Sequence, residues 1–168
     1  MQVDLAYGKT GLSVELPDEY QYQILEARSA KPIEDPDAAL ERALESPVAS
    51  LSLRECARGK KTAAISVCDI TRPAPNRLVL PHVLRHLEQA GISRENVTVL
   101  IATGLHRAAT EEEIREIVGP DLRDSLNVVN HDARDLAAHR YLGETKSGIP
   151  VHIDERFMAA DLHITLGF

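Results

Sequence analysis

The stretch Thr62-Ala63-Ala64-Ile65-Ser66-Val67-Cys68-Asp69-Ile70-Thr71-Arg72-Pro73-Ala74-Pro75-Asn76 decides the fold. Its first half is short, apolar and rich in β-branched residues, which predicts a buried strand over 62–68. The strand then breaks into a turn that carries a carboxylate, a hydroxyl and a guanidinium, from Asp69, Thr71 and Arg72. Open α/β sheets build ligand sites at the carboxyl ends of buried parallel strands. The stretch therefore predicts a parallel sheet with a site at its edge.

A helix is predicted directly after this turn. Pro73 and Pro75 stiffen the turn, and Asn76 is placed to cap the helix. The helix is predicted over 76–90, with Gly91 as the residue that ends it. Its apolar stripe has the spacing i, i+4, i+7 that is typical of a helix packed on a core, and consists of Leu80, Leu84 and Leu87.

The strand–helix pattern recurs along the chain, which predicts an α/β fold: a mainly parallel central sheet with helices on both faces. Strands of this sheet are predicted over 62–68, 96–102, 126–130 and 161–166. Alternating residues predict an N-terminal β-hairpin over 2–16 and a second hairpin over 139–154. Further helices are predicted over 36–45, after the capping box of Ser52 and Glu55, from Thr110 to about Gly119, and over 155–160. Because no repeat or linker interrupts the pattern, residues 1–168 are predicted to form one domain.

The composition argues against several classes of protein. A formal net charge of −7 and a pI near 5.5 argue against nucleic acid and anionic membranes as partners. No apolar run approaches the roughly 20 residues that cross a bilayer, and the N-terminus does not have the pattern of a signal peptide. Cys56 and Cys68 have no CxxC spacing, so we interpret them as buried thiols of a cytoplasmic protein. A reactive Cys68 is the alternative, although a neighbouring carboxylate does not favour a thiolate.

Three of the predicted strands end in polar loops, which contain Asp69, Thr71 and Arg72, then Thr103, Gly104, His106 and Arg107, then Asn130, His131 and Asp132. Loops at the carboxyl ends of parallel strands emerge along one edge of the sheet and converge on one crevice. Arg72 suits bidentate capture of a carboxylate or phosphate, with Asp69 holding its planar fork. His106 is the candidate acid–base residue, since imidazole titrates near neutrality.

Each of these patterns also has a plainer interpretation. Asp69 and Arg72 pair with each other, Thr103-Gly104 is ordinary turn chemistry, and His131 caps a turn. His82 and His86 have the i, i+4 spacing of a metal-binding pair, but no carboxylate or cysteine pattern completes a ligand set, so no metal site is predicted. The remaining histidines are interpreted as structural or solvated, namely His139, His152 and His163.

The segment Asp69-Ile70-Thr71-Arg72-Pro73-Ala74-Pro75, followed by Thr103-Gly104-Leu105-His106-Arg107, resembles the N-terminal domain of LarA-type lactate racemases. The similarity spans nearly the whole chain, through Tyr7-Gly8, Asn130-His131-Asp132, Gly148-Ile149-Pro150-Val151 and Ala160-Asp161. Members of this family are two-domain enzymes that use a nickel-pincer nucleotide. They racemise or epimerise 2-hydroxy acids by transient hydride transfer to that cofactor.

The resemblance implies roles for six residues. His106 matches one of two histidines that exchange the substrate hydroxyl proton. Arg72 matches an arginine that orients the substrate, and Asp69 supports the same substrate-binding loop. The cofactor-binding positions of the two loops are implied to be Thr71, Thr103 and Gly104. The implied partners are a small 2-hydroxy acid and the C-terminal domain of the same protein.

The resemblance also places part of the machinery beyond Phe168. The family's cofactor-attached lysine, second acid–base histidine and nickel-ligand histidine follow the strand that matches Leu166-Gly167-Phe168. The chain is therefore expected to be the N-terminal domain of a longer two-domain enzyme and to be inactive alone. The alternative is a non-catalytic α/β module that binds an anion or a nucleotide through the same residues.

Overall fold

The computed structural model describes residues 1–25 and 29–167, which divide into two compact units, Met1–Pro32 and Ile33–Phe168. In the first unit, β1 (Gln2–Leu5) and β2 (Leu12–Glu15) pair antiparallel. This pairing confirms the N-terminal hairpin. A single domain over residues 1–168 stays a prediction.

In chain order, the second unit contains α1 (Pro36–Glu45), α2 (Leu53–Ala57), β3 (Ala63–Cys68), α3 (Asn76–Gln89), β4 (Val97–Ala102), α4 (Glu111–Val118), α5 (Pro120–Ser125), β5 (Asn127–Asn130), β6 (His139–Glu144), β7 (Pro150–Asp154), α6 (Glu155–Met158) and β8 (Leu162–Thr165). Four of the strands form a parallel sheet in the order β5-β4-β3-β8. The strand of the opening stretch, β3, is therefore central, and the α/β prediction is confirmed. The antiparallel pair β6-β7 confirms the second hairpin.

The helix starts follow local chemistry, with one exception. Capping boxes open α2 at Ser52 and α4 at Thr110, as predicted. At α3, however, Pro75 is the N-cap residue, and Asn76 is the first helical residue and makes no side-chain cap. The prediction that Asn76 caps the helix was wrong because the Pro75 carbonyl already accepts the first intrahelical hydrogen bond, from Val79 N–H at 3.0 Å.

A short helix was also missed after α4. Gly119 ends α4 with a φ of +93°, a left-handed conformation that favours glycine. Pro120 then begins α5 directly, with its fixed φ at the first helical position. The end of α4 near Gly119 was predicted correctly, but no helix was predicted directly after it.

The two faces of the parallel sheet are covered differently. We call the face with Ile65, Val67, Val99 and Ile101 the first face, and these side chains are at most 1% exposed. They belong to one core with the apolar residues of α3 and α4. The second face presents Ser66, Leu100, Ala102 and Thr165, and the short helix α6 contacts β3 and β4 there. Ala102 and Thr165 remain exposed, so the second face is partly open.

Hydrogen bonds between residues 61–62 and Asp161, which we call the clasp, fix the pairing of β3 with β8. One carboxylate oxygen of Asp161 accepts hydrogen bonds from the N–H groups of Lys61 (2.8 Å) and Thr62 (3.2 Å). The Thr62 hydroxyl accepts a hydrogen bond from Asp161 N–H at 3.0 Å. Immediately afterwards, Ala63 lies opposite Leu162 in the parallel ladder.

In the part of the chain that the structure describes, no helix is long and apolar enough to span a membrane.

Candidate functional site

The loops after β3 and β4 meet through a histidine–carboxylate pair. The Nδ1 atom of His106 lies 2.5 Å from Oδ2 of Asp69. The Asp69 side chain is 8% exposed, whereas the His106 side chain is 55% exposed. Because a carboxylate only accepts hydrogen bonds, Nδ1 carries the proton and Nε2 is the acceptor of a neutral imidazole. The arrangement resembles the orienting half of a catalytic triad, and Nε2 has no hydrogen-bond partner among the described residues.

Asp69 is held in its ionised form by its neighbours. Burial opposes its ionisation, but hydrogen bonds from Thr71 and His106 outweigh burial and lower the pKa of Asp69 below its usual value. Its Oδ1 atom accepts from the Thr71 hydroxyl at 2.6 Å and from the Thr71 N–H at 3.2 Å. The carboxylate is therefore a fixed negative charge beside the His106 ring.

The guanidinium of Arg72 is not bound by Asp69, contrary to the expectation that Asp69 holds its fork. Both Asp69 oxygens already have partners in Thr71 and His106. Arg72 is exposed, and only its backbone N–H is tied to the turn, through the Asp69 carbonyl at 3.1 Å. Among residues 1–25 and 29–167, its side chain forms no salt bridge. Arg72 therefore lies on the same loop as Asp69, with an exposed side chain.

Hydrogen bonds of the buried residue Thr103 hold the loop that carries His106. Thr103 is 2% exposed, and its hydroxyl donates to the carbonyl of His131 at 2.5 Å. Gly104 then takes a left-handed φ of +56° with open space around its Cα. The N–H of His106 closes the turn on the Thr103 carbonyl at 3.0 Å. Of the three residues expected to bind cofactor, Thr71 and Gly104 are therefore exposed, whereas Thr103 faces the interior.

Arg107, the next residue, is engaged elsewhere. Its guanidinium makes two hydrogen bonds to Glu113 of α4, at 2.6 and 2.7 Å. The hydrogen bond from Arg107 is the main cause that lowers the pKa of Glu113 to about 2. This pair forms one wall of a small cavity of about 70 Å³ that the Asp69 and His106 loops also line. Arg107 therefore belongs to the frame of the site.

A second histidine–carboxylate pair, which the sequence did not indicate, joins the loop after β5 to the end of β7. His131 Nδ1 is 3.0 Å from Oδ2 of Asp154, a residue that is 3% exposed. Arg156 makes two side-chain hydrogen bonds to the same carboxylate, at 2.7 and 3.0 Å, and donates to the carbonyl of Asn130 at 3.1 Å. Burial opposes ionisation of Asp154, but the hydrogen bonds of Arg156 and His131 keep its pKa far below the usual range. This cluster fixes the loop after β5, in which the His131 carbonyl accepts the hydrogen bond of the Thr103 hydroxyl.

A cluster of histidines and carboxylates joins α1 to α3. His82 Nδ1 lies 2.6 Å from Glu41, and its Nε2 lies 2.8 Å from Asp37. His86 Nε2 lies 2.9 Å from the other oxygen of Glu41, while His86 Nδ1 is buried without a partner in the described structure. The sequence showed the i, i+4 histidines but not their partners, because the matching i, i+4 carboxylates lie on a different helix. In the described residues, no group of three or more His, Cys, Asp or Glu side chains could hold a metal ion.

Comparison with known proteins gives a consistent result. The sequence profile of the lactate racemase N-terminal domain matches residues 7–168. The chain is 36% identical to a lactate racemase from Thermoanaerobacterium thermosaccharolyticum and 31% identical to one from Lactiplantibacillus plantarum. Each alignment covers 99% of this chain but only 39% of the relative. The chain therefore spans about two fifths of the length of the curated relatives that it matches.

Solved structures agree with the sequence comparison. The lactate racemase apoprotein from Thermoanaerobacterium thermosaccharolyticum superposes with a TM-score of 0.82 and 34% identity, over 98% of this chain and 38% of that one. A protein from Thermotoga maritima superposes with a TM-score of 0.58 and 20% identity, over 77% of this chain and 32% of that one, and so shares the fold.

Proposed function

The chain belongs to the family of lactate racemase N-terminal domains, and from that premise we propose that it is the N-terminal part of a 2-hydroxy-acid racemase or epimerase. In this proposal the reaction proceeds through a nickel-pincer nucleotide, and the 168-residue chain is inactive alone. The single observation that carries the proposal is the His106–Asp69 pair, 2.5 Å apart, with the histidine exposed at the sheet edge. Both cysteines are free thiols, which fits a reducing cytoplasm as the place of the reaction.

His106 is the proposed acid–base residue. Oxidation of a 2-hydroxy acid at its second carbon requires that the hydroxyl proton leave together with the hydride. The Nε2 atom of neutral His106 accepts that proton, and the Asp69 carboxylate stabilises the imidazolium that results. Return of the proton to the keto acid restores neutral His106. Because racemisation uses both faces of the planar intermediate, a second acid–base residue is needed from another part of the protein.

Arg72 is the proposed anchor for the substrate carboxylate. Its guanidinium is exposed, forms no salt bridge among the described residues and lies at the end of β3 beside the histidine loop. A planar guanidinium binds a carboxylate through two parallel hydrogen bonds, which also fixes the orientation of the bound acid. Asp69 acts on the substrate indirectly, through His106.

The residues of this chain fit only part of the cofactor. Exposed Gly104 and Thr71 lie at the ends of adjacent parallel strands. The Gly104 N–H suits an anionic nucleotide group, whereas the Thr71 hydroxyl and N–H donate to Asp69, so Thr71 would contact the cofactor only by shaping this loop. The buried Thr103 supports that loop from the interior. In the described residues no group of three or more His, Cys, Asp or Glu side chains could hold a metal ion, and the resemblance to the family places the nickel-ligand histidine beyond Phe168. When bound, the nickel-pincer nucleotide supplies the hydride acceptor.

The test is the kinetics of the full-length protein from each enantiomer of the substrate, with cofactor loading measured by mass and nickel content. We expect His106→Ala to lower turnover in both directions by about 10²–10⁴-fold, the usual contribution of general acid–base catalysis. Glu116→Ala, at an exposed position of α4, is the control and should leave turnover unchanged. Near-normal turnover of His106→Ala with full cofactor loading would contradict the acid–base role.

A second pair of variants tests the anchor. Arg72→Ala should raise KM for the hydroxy acid, and Arg72→Lys should restore only part of the affinity because the bidentate contact is lost. Arg94→Lys, at an arginine in the short 3-10 helix before β4 that pairs with Glu88, is the control. A metal-free, unmodified full-length protein that still binds anions through Arg72 would instead support the non-catalytic binding module.

A further inference from the structure

The side-chain amide of Asn130, the last residue of β5, is bound to the loop that carries His106. Its Oδ1 atom accepts a hydrogen bond from the Ala109 N–H at 2.9 Å, and its Nδ2 atom donates to the Ala109 carbonyl at 3.0 Å. Ala109 is only 8% exposed, so without Asn130 both of its backbone groups would lose their partner where water has little access. The amide therefore fixes the end of the His106 loop.

A second side chain from the same segment contacts the middle of the His106 loop. The Arg134 guanidinium donates a hydrogen bond to the carbonyl of Leu105, the residue before His106, at 3.0 Å. Arg134 itself is placed by a turn, since its N–H donates to the Asp132 carboxylate at 3.0 Å. Within residues 1–25 and 29–167 the Arg134 side chain forms no salt bridge, so the Leu105 carbonyl is its one hydrogen-bond acceptor there.

The segment that supplies these side chains is itself anchored to the sheet. The His131 N–H donates to the carbonyl of Ile101 in β4 at 3.0 Å, and Arg156 donates to the Asn130 carbonyl at 3.1 Å. His131 and Arg156 also bind the buried carboxylate of Asp154. The loop after β5 is therefore a fixed base for the loop beside it.

The His106 ring depends on this base because its own partner lies on another loop. Residues 104–108 are exposed, and Gly104 adopts a left-handed φ of +56° with open space around it. From this exposed stretch the ring reaches across to Asp69 in the loop after β3, with 2.5 Å between Nδ1 and Oδ2. A hydrogen bond between two loops persists only while the distance between their backbones stays constant, since it weakens steeply outside its preferred geometry.

We propose that Asn130 and Arg134 are positioning residues that keep the His106 ring on Asp69. Neither contacts the substrate, and the proposal rests on the acid–base role of His106 in the proposed function. A neutral imidazole that has lost the carboxylate carries its proton on either nitrogen, and only the form protonated on Nδ1 offers Nε2 as a proton acceptor. Loss of either positioning residue should therefore slow proton transfer without weakening the binding of the substrate carboxylate.

The first test is ¹⁵N NMR of the histidine rings in the 168-residue chain, with the pH raised until the His106 ring is neutral. The signals of His106 are assigned by comparison with His106→Gln. The wild-type ring should be protonated on Nδ1 alone, whereas Asn130→Ala should give the averaged signal of both forms. Asn127→Ala is the matched control, since that asparagine of the same strand binds Thr98 instead, and it should keep the wild-type signal. A wild-type signal in Asn130→Ala would overturn the proposal.

Arg134 gives a second measurement at an exposed side chain, where substitution does not disturb the core. In the full-length protein with measured cofactor loading, Arg134→Met should lower kcat about five-fold, the usual weight of one hydrogen bond, and leave KM for the hydroxy acid unchanged. Arg134→Lys keeps a donor for the Leu105 carbonyl and should restore most of kcat. Asn130→Ala should lower kcat further, by up to about 10²-fold, as expected for a displaced reacting group.

The NMR signal separates failure of this proposal from failure of the proposed function, because it does not involve catalysis. Normal kcat in Arg134→Met together with the wild-type His106 signal would overturn the positioning role. A raised KM with unchanged kcat would overturn it as well, since it would place Arg134 in substrate binding. Normal kcat with an altered His106 signal would support the positioning of the ring and contradict only the acid–base role in the proposed function.

Discussion

The first face of the parallel sheet is closed by helices, whereas the second face is only partly covered, although the same strands form both. On the first face, Ile65 and Val99 are fully buried against α3 and α4. On the second face, the neighbouring position Ser66 is half-buried and Ala102 is exposed. In the described structure, the site loops therefore follow strands that are fully packed on the first face and only partly covered on the second. The following predictions compare the two faces in the 168-residue chain.

The largest effect is expected from matched leucine substitutions. Leu84→Ala, in α3 on the first face, removes a side chain that is 0% exposed and should lower the free energy of unfolding by about 2–5 kcal/mol. Leu100→Ala, on the second face, should cost less, because its side chain already borders a cavity. Urea unfolding of both variants measures the difference. Equal losses would show that the two faces are packed alike.

A smaller loss of stability is expected at Asp154, the buried carboxylate that binds His131 and Arg156. Asp154→Asn keeps the size of the side chain but removes the charge that holds Arg156 and His131. Because a buried hydrogen-bonded partner is lost, the free energy of unfolding should fall by about 1–3 kcal/mol. Glu155→Gln, in an exposed pair with Arg140, is the control and should have little effect. Urea unfolding would contradict the prediction if both variants were equally stable.

The helix layer over the first face should respond to pH. The hydrogen bond with Glu41 raises the pKa of His82; burial opposes this shift and Asp37 adds to it, while Arg85 is the nearby cation. The stabilisation is therefore complete below the unfolded histidine pKa of about 6.5 and is lost as the pH rises through the higher folded value. Glu41, whose pKa the hydrogen bonds of His82 and His86 lower to about 2, stays ionised throughout that range.

The measurement is the melting temperature of the wild type and of His82→Gln between about pH 5.5 and pH 9. At the acidic end the melting temperature of the wild type should exceed that of His82→Gln by a few degrees, and this difference should become smaller as the pH rises. Thr165→Val, which changes no titratable group, should differ from the wild type by the same amount at every pH. If the difference in melting temperature grew with pH instead, the His82 ring would be neutral between its two carboxylates.

The smallest effect is expected from Thr165→Val on the second face. Because Thr165 is exposed in the described structure, the free energy of unfolding should change by no more than about 0.5 kcal/mol. Thermal unfolding of this variant therefore checks how open the face is. A loss above 1 kcal/mol, well outside that surface range, would indicate that the hydroxyl has a partner.

Much of this architecture could be predicted from the sequence, because the residues that decide it are local. The apolar run before Asp69, the capping box at Thr110 and the turn at Gly91 each specify their own element. The approach of Asp69 and His106 also followed from a simple rule, since adjacent parallel strands bring their loops to one edge.

The remaining contacts of the site depend on which elements pack together. No local sequence pattern contains that information. The carboxylates that meet His82 lie on α1, and Asp154, which meets His131, ends the second hairpin. The preference of Asp69 for His106 over Arg72 is likewise a result of loop geometry. The run Val97-Thr98-Val99-Leu100-Ile101-Ala102 was interpreted as a buried strand, but its last residue lies open on the second face.

The clasp of Asp161 on Lys61 and Thr62 has a consequence for the order of folding. The two sides of this contact are about 100 residues apart in the chain, whereas β4 reaches β3 across a single helix. Closing so long a loop is slow relative to forming local contacts. During synthesis β3 therefore pairs with β4 first and waits with its other edge bare until β8 leaves the ribosome. Until then the unpaired N–H and C=O groups along that edge of β3 are open to pairing with other chains, so the clasp marks the step at which β3 becomes an interior strand.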